Sequence, residues 1–242
     1  MNKQKNRLCN TKFFTGKCVP MLFCTPAQTS ALLSEKRQLI FLIRHGTTDW
    51  NVETRLQGRV EVPLNEKGRQ QAESCALGLK RAFEGTLSVK SVYSSPLSRA
   101  YDTAKIIADA FGHPAPTVAE GLIERDYGSV TGMTYAARRE LFKSAAGYPD
   151  DMESAADAAV RMKRTIAKVR SDTCDGALIL VTHGGILNSF FSGITCRRAG
   201  SGGNIVANCT VEIVAAGARD VIPIAFNLGC EELAEFVSEL RI

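Results

Sequence analysis

The chain has 242 residues, enough for one sizeable α/β domain that folds on its own core without disulfides or a structural metal. With 45% hydrophobic and 23% charged residues, it is neither a disordered nor a collagen-like chain. The net charge of +5 sits in residues 1–37, which hold seven Lys/Arg and one acid, while residues 38–242 hold 23 bases and 24 acids; no basic stripe points to nucleic acid.

Residues 1–37 are expected to form a basic, disordered extension, followed by a domain over 38–242. Two other readings stay open: a targeting segment, or an over-long start with Met21 as the initiator. The apolar stretch Val19–Cys24 is short and broken by Pro20 and Pro26, which suits a secretory core poorly. No stretch approaches the roughly 18 apolar residues of a membrane helix, so no membrane span is expected. The eight cysteines form no Cys-x-x-Cys pair, and no histidine lies at ligand spacing from one. A zinc site is therefore not expected, no cofactor is expected, and reduced thiols point to the cytoplasm.

In the body, Leu39–Ile43 is a continuous apolar run ending in Arg44-His45-Gly46, a strand buried on both faces. Asn65 caps a helix predicted over about 66–84, and Val89–Tyr93 reads as a short strand. Ser95-Pro96 opens a helix carrying Ala100, Ala104, Ile107 and Phe111 on one face. Helices are expected at 134–143 and along the Ala155–Val169 stripe. Ala177–Val181 is a second buried strand and ends in Thr182-His183-Gly184-Gly185, where Ile186–Ser192 starts a helix. Two late strands are placed at about 205–214 and 221–226. Strands alternating with helices imply a three-layer α/β/α sandwich with a mostly parallel central sheet. Ligands of such sheets sit beyond the carboxyl ends of the strands, so the two His-Gly elements are expected to meet in one crevice.

Arg44-His45-Gly46-Thr47-Thr48-Asp49-Trp50-Asn51 resembles the Arg-His-Gly signature of the histidine phosphatase superfamily, which includes cofactor-dependent phosphoglycerate mutases. The likeness continues in order along about residues 38–228. Gln57-Gly58 with Pro63–Gly68 is similar to the next family segment, and Ser94–Ala100 with Thr103-Ala104 to the second arginine motif. Leu122–Arg125 with Tyr127-Gly128 resembles the acid-bearing segment, Glu153-Ser154 with Arg161 a later helix, and Val181–Gly185 the second histidine motif. One departure stands out: Leu187-Asn188 occupies the place where many relatives carry an arginine.

The resemblance implies a role for each matched residue. Arg44 and Arg99 offer permanently charged forks for a phosphoryl group. His45 is the expected nucleophile, with one ring nitrogen fixed as a donor and the other attacking phosphorus. His183 is expected to donate to the phosphoryl oxygens, in cationic form beside the anion. Glu124 is the expected general acid, with Glu120 and Asp126 as competitors; partial desolvation and the phosphate's own charge are expected to keep it protonated. Asn51, Gln57, Gly58 and Gly184 are candidate phosphate contacts. Trp50, His113 and Asn208 read as structural.

The expected activity is hydrolysis of a small phosphate monoester through a phosphohistidine. The partner is a small phosphorylated metabolite, with no nucleic acid and no membrane; the oligomeric state is left open. One rival is a phosphoglycerate mutase. Such enzymes usually carry a longer insertion after the acid segment, whereas 48 residues separate Gly132 from Val181 here, and Gly46-Thr47-Thr48 looks more like the phosphatase branch. A second rival is a catalytically silent regulatory protein on the same fold.

Overall fold

The computed structural model describes residues 18–144, 149–170, 175–201 and 204–241. Its centre is strand β2 (Gln38–Arg44), buried from residue 38 to 43. Successive strand side chains point to opposite faces. Leu39, Phe41 and Ile43 therefore enter one core layer, while Ile40 and Leu42 enter the other.

Strand β2 runs parallel to β5 (Ala177–Thr182), with Arg44 opposite Thr182. Strand β5 pairs in parallel with β3 (Val89–Ser94), and β3 with the short β4 (Thr117–Val118). On its other edge β2 meets β6 (Val211–Ala216) antiparallel, followed by β7 (Val221–Leu228) and β1 (Met21–Leu22). The seven strands stand in the order β1-β7-β6-β2-β5-β3-β4. The sheet is thus mixed: parallel from β2 through β4, antiparallel from β6 outward. The short 217–220 turn, closed by Gly217 N–H to the Asp220 carbonyl at 3.0 Å, allows only an antiparallel return.

Helices cover both faces, giving the expected three layers. Helices α1 (Pro26–Ser34), α3 (Glu66–Phe83), α4 (Ser98–Ala110) and α8 (Cys230–Ser238) pack on the Phe41 side. Helices α6 (Ala155–Val169) and α7 (Gly184–Ile194) pack on the Leu42 side. The short α2 (Asp49–Val52) and α5 (Tyr135–Ser144) stand at the carboxyl end of the sheet. No helix among the described residues is long and apolar enough to cross a membrane.

Three differences from the sequence reading have local causes. Helix α4 begins at Ser98, not at Pro96, because the Ser95 hydroxyl accepts the Leu97 N–H at 3.3 Å and Leu97 stays extended. The strand expected from 205 starts at Val211. The Asn188 and Asn227 side chains take the N–H groups of Val206 and Ala207, and Cys209 adopts a φ of 55°. Residues 18–37, assigned to a disordered extension, are built into the domain. Strand β1 extends the sheet edge, a Thr25–Gln28 capping box starts α1, and Leu32 and Leu33 pack on the core. Five of the segment's seven bases precede residue 18, so its charge described a part outside the described residues, namely 1–17.

Phe41 is fully buried, and its ring centroid lies 4.6 Å from that of Phe83. Phe41→Ala is expected to cost about 3–5 kcal/mol by cavity formation. In urea titrations the midpoint should fall with little change in slope.

Candidate active site

Three parallel strands deliver the site. His45 and His183 directly follow the Arg44–Thr182 register pair, and the His45 N–H donates to the Thr182 carbonyl at 3.0 Å. Ser95 follows β3, and its N–H donates to the Val181 carbonyl at 3.0 Å. The two imidazole rings lie 5.1 Å apart between centroids, tilted by 60°, and both are buried. The crevice anticipated from the two His-Gly elements is therefore real.

Glycine after His45 follows from close packing. A Cβ on Gly46 would lie 2.3 Å from the Gly68 carbonyl oxygen in the first turn of α3, and a Cβ on Gly68 would strike Thr47. The loop is pinned further by Thr103, whose hydroxyl accepts the Gly46 N–H at 3.1 Å, and by Asn208, whose amide donates to the His45 carbonyl at 2.8 Å.

The His45 Nδ1–H donates to the Gly46 carbonyl at 2.7 Å. That fixes the tautomer and leaves the Nε2 lone pair unshared. Nε2 of His183 lies 2.7 Å from the Ser95 hydroxyl, while its Nδ1 is buried without a partner. Ser95 Oγ already accepts from Leu97, so its proton is available to His183 Nε2. In the tautomer with the ring proton on Nδ1, that nitrogen is a donor awaiting an acceptor. Burial, followed by the charges of Arg99 and Arg44, holds His45 well below the usual histidine range; burial and Arg99 do the same for His183. The protein by itself thus keeps His183 neutral, and only an anion beside it can supply the cationic form expected from the sequence.

Both arginines are held by backbone carbonyls rather than carboxylates. Arg99, completely buried, donates through Nη1 to Val60 and through Nη2 to Gly58, each at 2.8 Å. Arg44 donates to the Val206 carbonyl at 2.8 Å. Each keeps a buried Nε–H with no protein acceptor. Desolvation pulls the Arg99 guanidinium down to about 10, which still leaves it charged at neutral pH.

Glu124 sits against the start of α7. Its oxygens accept the N–H groups of Gly185, Ile186 and Arg125, each at 2.8 Å. The backbone carrying it is clamped by Arg161, which donates to the carbonyls of Gly121 and Ile123 while gripping Glu153. Of the competing acids, Asp126 contacts Arg59 and the Gly128 N–H, and Glu124 alone of the three lines the cavity.

Asn51 also lines the cavity, its carbonyl oxygen committed to Thr48 in a capping box. Gln57 lines it with a buried, unpartnered Oε1, and Gly184 with its backbone. Gly58 does not reach the cavity: at a φ of +53° it turns its carbonyl toward Arg99. Sequence reasoning overlooked Ser95 and Tyr127. Ser95 lay inside a quoted motif, but only register shows that it meets His183. The Tyr127 hydroxyl comes so near Gly185 that a Cβ there would lie 2.2 Å from it.

The cavity holds about 520 Å³. Arg44, His45, Arg99 and Glu124 line it together with residues of the 125–127 segment and of α5. Such an arrangement can bind a phosphoryl group, attack it with an unprotonated imidazole and exchange a proton with the leaving oxygen.

A family model described as the histidine phosphatase superfamily, branch 1, matches residues 40–223. The chain is 34% identical over 185 residues to a metal-independent phosphoserine phosphatase of Arabidopsis thaliana, covering 72% of this chain and 75% of that protein. It is 36% identical over 163 residues to a probable phosphoglycerate mutase of an Enterobacter species, covering 64% and 74% respectively. It is also similar to the structure of a mycobacterial glucosyl-3-phosphoglycerate phosphatase complexed with VO3. That likeness has a TM-score of 0.65 at 26% identity, over 79% of this chain and 100% of the other.

Two buried neutral histidines have a consequence for stability. The unfolded chain binds protons on them near the ordinary value of about 6.5, whereas the folded chain does so only at lower pH. Their contribution is complete above about pH 6.5 and is lost as pH falls below it, by at most about 1.4 kcal/mol per pH unit per ring. Urea unfolding at pH 7.5 and 5.5 should show the loss. The double variant His45→Asn, His183→Asn should show a shallower one.

Proposed function

The chain belongs to the histidine phosphatase superfamily, and from that premise we propose that it hydrolyses a small phosphate monoester through a phosphohistidine on His45. The observation that carries this reading is the convergence of two neutral imidazoles, 5.1 Å apart, with the buried Arg99 and the half-buried Arg44, each of which keeps a buried Nε–H unpaired. A phosphoryl group supplies the acceptors those donors lack.

Arg44, Arg99 and the His183 Nδ1–H bind the non-bridging oxygens and stabilise the charge of the transition state. Nε2 of His45 attacks phosphorus in line; an N–P bond forms as the P–O ester bond breaks. Glu124 gives its proton to the departing oxygen. Glu124 then takes a proton from water, the oxygen attacks phosphorus, the N–P bond breaks and phosphate leaves. Gly46, accepting from Nδ1–H throughout, stabilises the positive charge on the phosphorylated ring.

Asn51, Gln57 and the Gly184 backbone belong to the phosphate-facing wall in this reading, and Gly58 acts through Arg99. Ser95 is a positioning residue that sets the His183 tautomer. A cytoplasmic setting belongs to the same proposal, supported by the six unpaired thiols among the described residues. The similarity to a probable mutase keeps a second reading in play, in which a substrate hydroxyl rather than water takes the phosphoryl group.

With an aryl phosphate, His45→Ala should lower kcat by at least about 10³-fold, since the covalent route is lost. Rapidly quenched enzyme should carry an acid-labile, base-stable phosphoryl group, absent from the variant. Unchanged turnover by His45→Ala would sink the mechanism. Isomerisation of 3-phosphoglycerate in the presence of 2,3-bisphosphoglycerate, without phosphate release, would replace hydrolysis by the mutase reading.

A further inference from the structure

One buried acid has no part in the chemistry above. Glu212, opposite Leu42 in the register of β2 with β6, is fully buried. Its Oε1 lies 3.0 Å from the Thr210 hydroxyl, and its Oε2 is buried without a hydrogen-bond partner. The charged and titratable groups whose field meets it are Arg44 at the end of β2, the Cys209 thiol of the 204–210 segment and the Cys75 thiol of α3.

The hydrogen bonds around Thr210 decide where a proton must be. Its Oγ has three oxygen neighbours: the Ala207 carbonyl at 3.0 Å, Glu212 Oε1 at 3.0 Å and Asn227 Oδ1 at 3.1 Å. The hydroxyl carries one proton and a carbonyl carries none. The Asn227 amide is oriented by its other bonds. Its Nδ2 donates to the Ile205 carbonyl at 2.7 Å and to Asn204 Oδ1 at 3.1 Å, while its Oδ1 accepts the Ala207 N–H at 3.0 Å. Of the three neighbours, Glu212 is therefore the one able to bring a second proton. As a carboxylic acid it donates from Oε1 to Thr210 Oγ, and the Thr210 proton is left for the Ala207 carbonyl and Asn227 Oδ1. As a carboxylate it would compete for that single proton and bury an anionic Oε2 with nothing to meet it. Burial also pushes the Glu212 carboxyl well above the usual carboxylate range.

This cluster holds the 204–210 segment, and the segment holds the site. The Val206 carbonyl accepts from Arg44 Nη1 at 2.8 Å, the Cys209 N–H donates to the Arg44 carbonyl at 3.0 Å, and the Asn208 amide donates to the His45 carbonyl at 2.8 Å. Cys209 and Asn227 both stand in the left-handed region, at φ 55° and 58°, a conformation that persists only where the surroundings enforce it.

We propose that Glu212 is a positioning residue that works as a neutral acid: its O–H, donated to Thr210, fixes the 204–210 segment and with it the Arg44 guanidinium and the His45 backbone. The proposal rests on the phosphatase reading of the site. A neutral group at this position also leaves the Arg44 charge uncancelled for the phosphoryl group.

Infrared spectra of the purified full chain in D2O near neutral pH test the proton. The difference between wild type and Glu212→Gln should contain a protonated-carboxyl C=O band. Calorimetric titration with inorganic phosphate tests the position. Glu212→Leu, which fills the volume but donates nothing, should bind phosphate at least about tenfold more weakly and raise KM for an aryl phosphate more than it lowers kcat. Glu212→Gln, whose amide N–H replaces the acid's donor, should recover most of that loss. Thr210→Val should reproduce the defect in a chain that keeps Glu212, and it carries the test if Glu212→Leu does not fold. Carboxylate bands alone in the infrared difference, a Gln variant as impaired as the Leu variant, or unchanged phosphate binding in Thr210→Val would each overturn the proposal while leaving the phosphatase reading intact. Absence of His45-dependent hydrolysis in the wild type would instead remove the phosphatase reading, with the infrared difference still deciding the state of Glu212.

Discussion

Two guanidinium groups, one wholly and one partly withdrawn from water and only partly satisfied by the protein, set the terms for this site. Arg99 is wholly buried, yet its partners are the carbonyls of Gly58 and Val60, not a carboxylate. Arg44 leans on the Val206 carbonyl in the same way. Neutral partners hold the geometry without cancelling the charge, so the positive field stays available to an incoming anion. The same field, added to burial, keeps both imidazoles unprotonated. In the proposed mechanism a cationic His45 could not attack phosphorus, so the arginines that would bind the phosphoryl group would also keep the nucleophile competent.

Maintaining that arrangement takes contacts from distant parts of the chain. The 58–60 loop holds Arg99, the 204–210 segment holds Arg44, and Asn208 reaches the His45 carbonyl. Close backbone approaches at Gly46–Gly68, and beneath Tyr127 at Gly185, leave no room for a Cβ. Interiors are packed densely enough that a shift of a few tenths of an ångström at these points would pass directly to the histidines. Strand ends and tight loops therefore hold the two histidines in place.

Another part of the cavity wall is built differently. Its residues come from the 125–127 segment and from α5, which rests on the small Leu56–Tyr127–Val130 cluster rather than on the central sheet. A phosphoserine phosphatase, a probable mutase and a glucosyl-3-phosphoglycerate phosphatase share similarity with this chain, consistent with one chemistry serving different substrates.

The three-layer fold was legible in the chain's own pattern, and so was the meeting of the two His-Gly elements at the strand ends. Buried parallel strands write themselves as unbroken apolar runs, and phosphoryl chemistry draws on few residue types, placed at strand and helix ends. The pattern could not show that Ser95 meets His183 or that Gly58 acts through Arg99, since those contacts join residues 88 and 41 positions apart. Nor could it show that Glu212, inside an apparently alternating strand, is fully buried, with burial pushing its carboxyl well above the usual range. The built-in β1 and α1 were masked by the charge of residues before them. Periodicity and composition report what a residue does to its own element; which neighbour satisfies a buried donor is decided only when the elements pack.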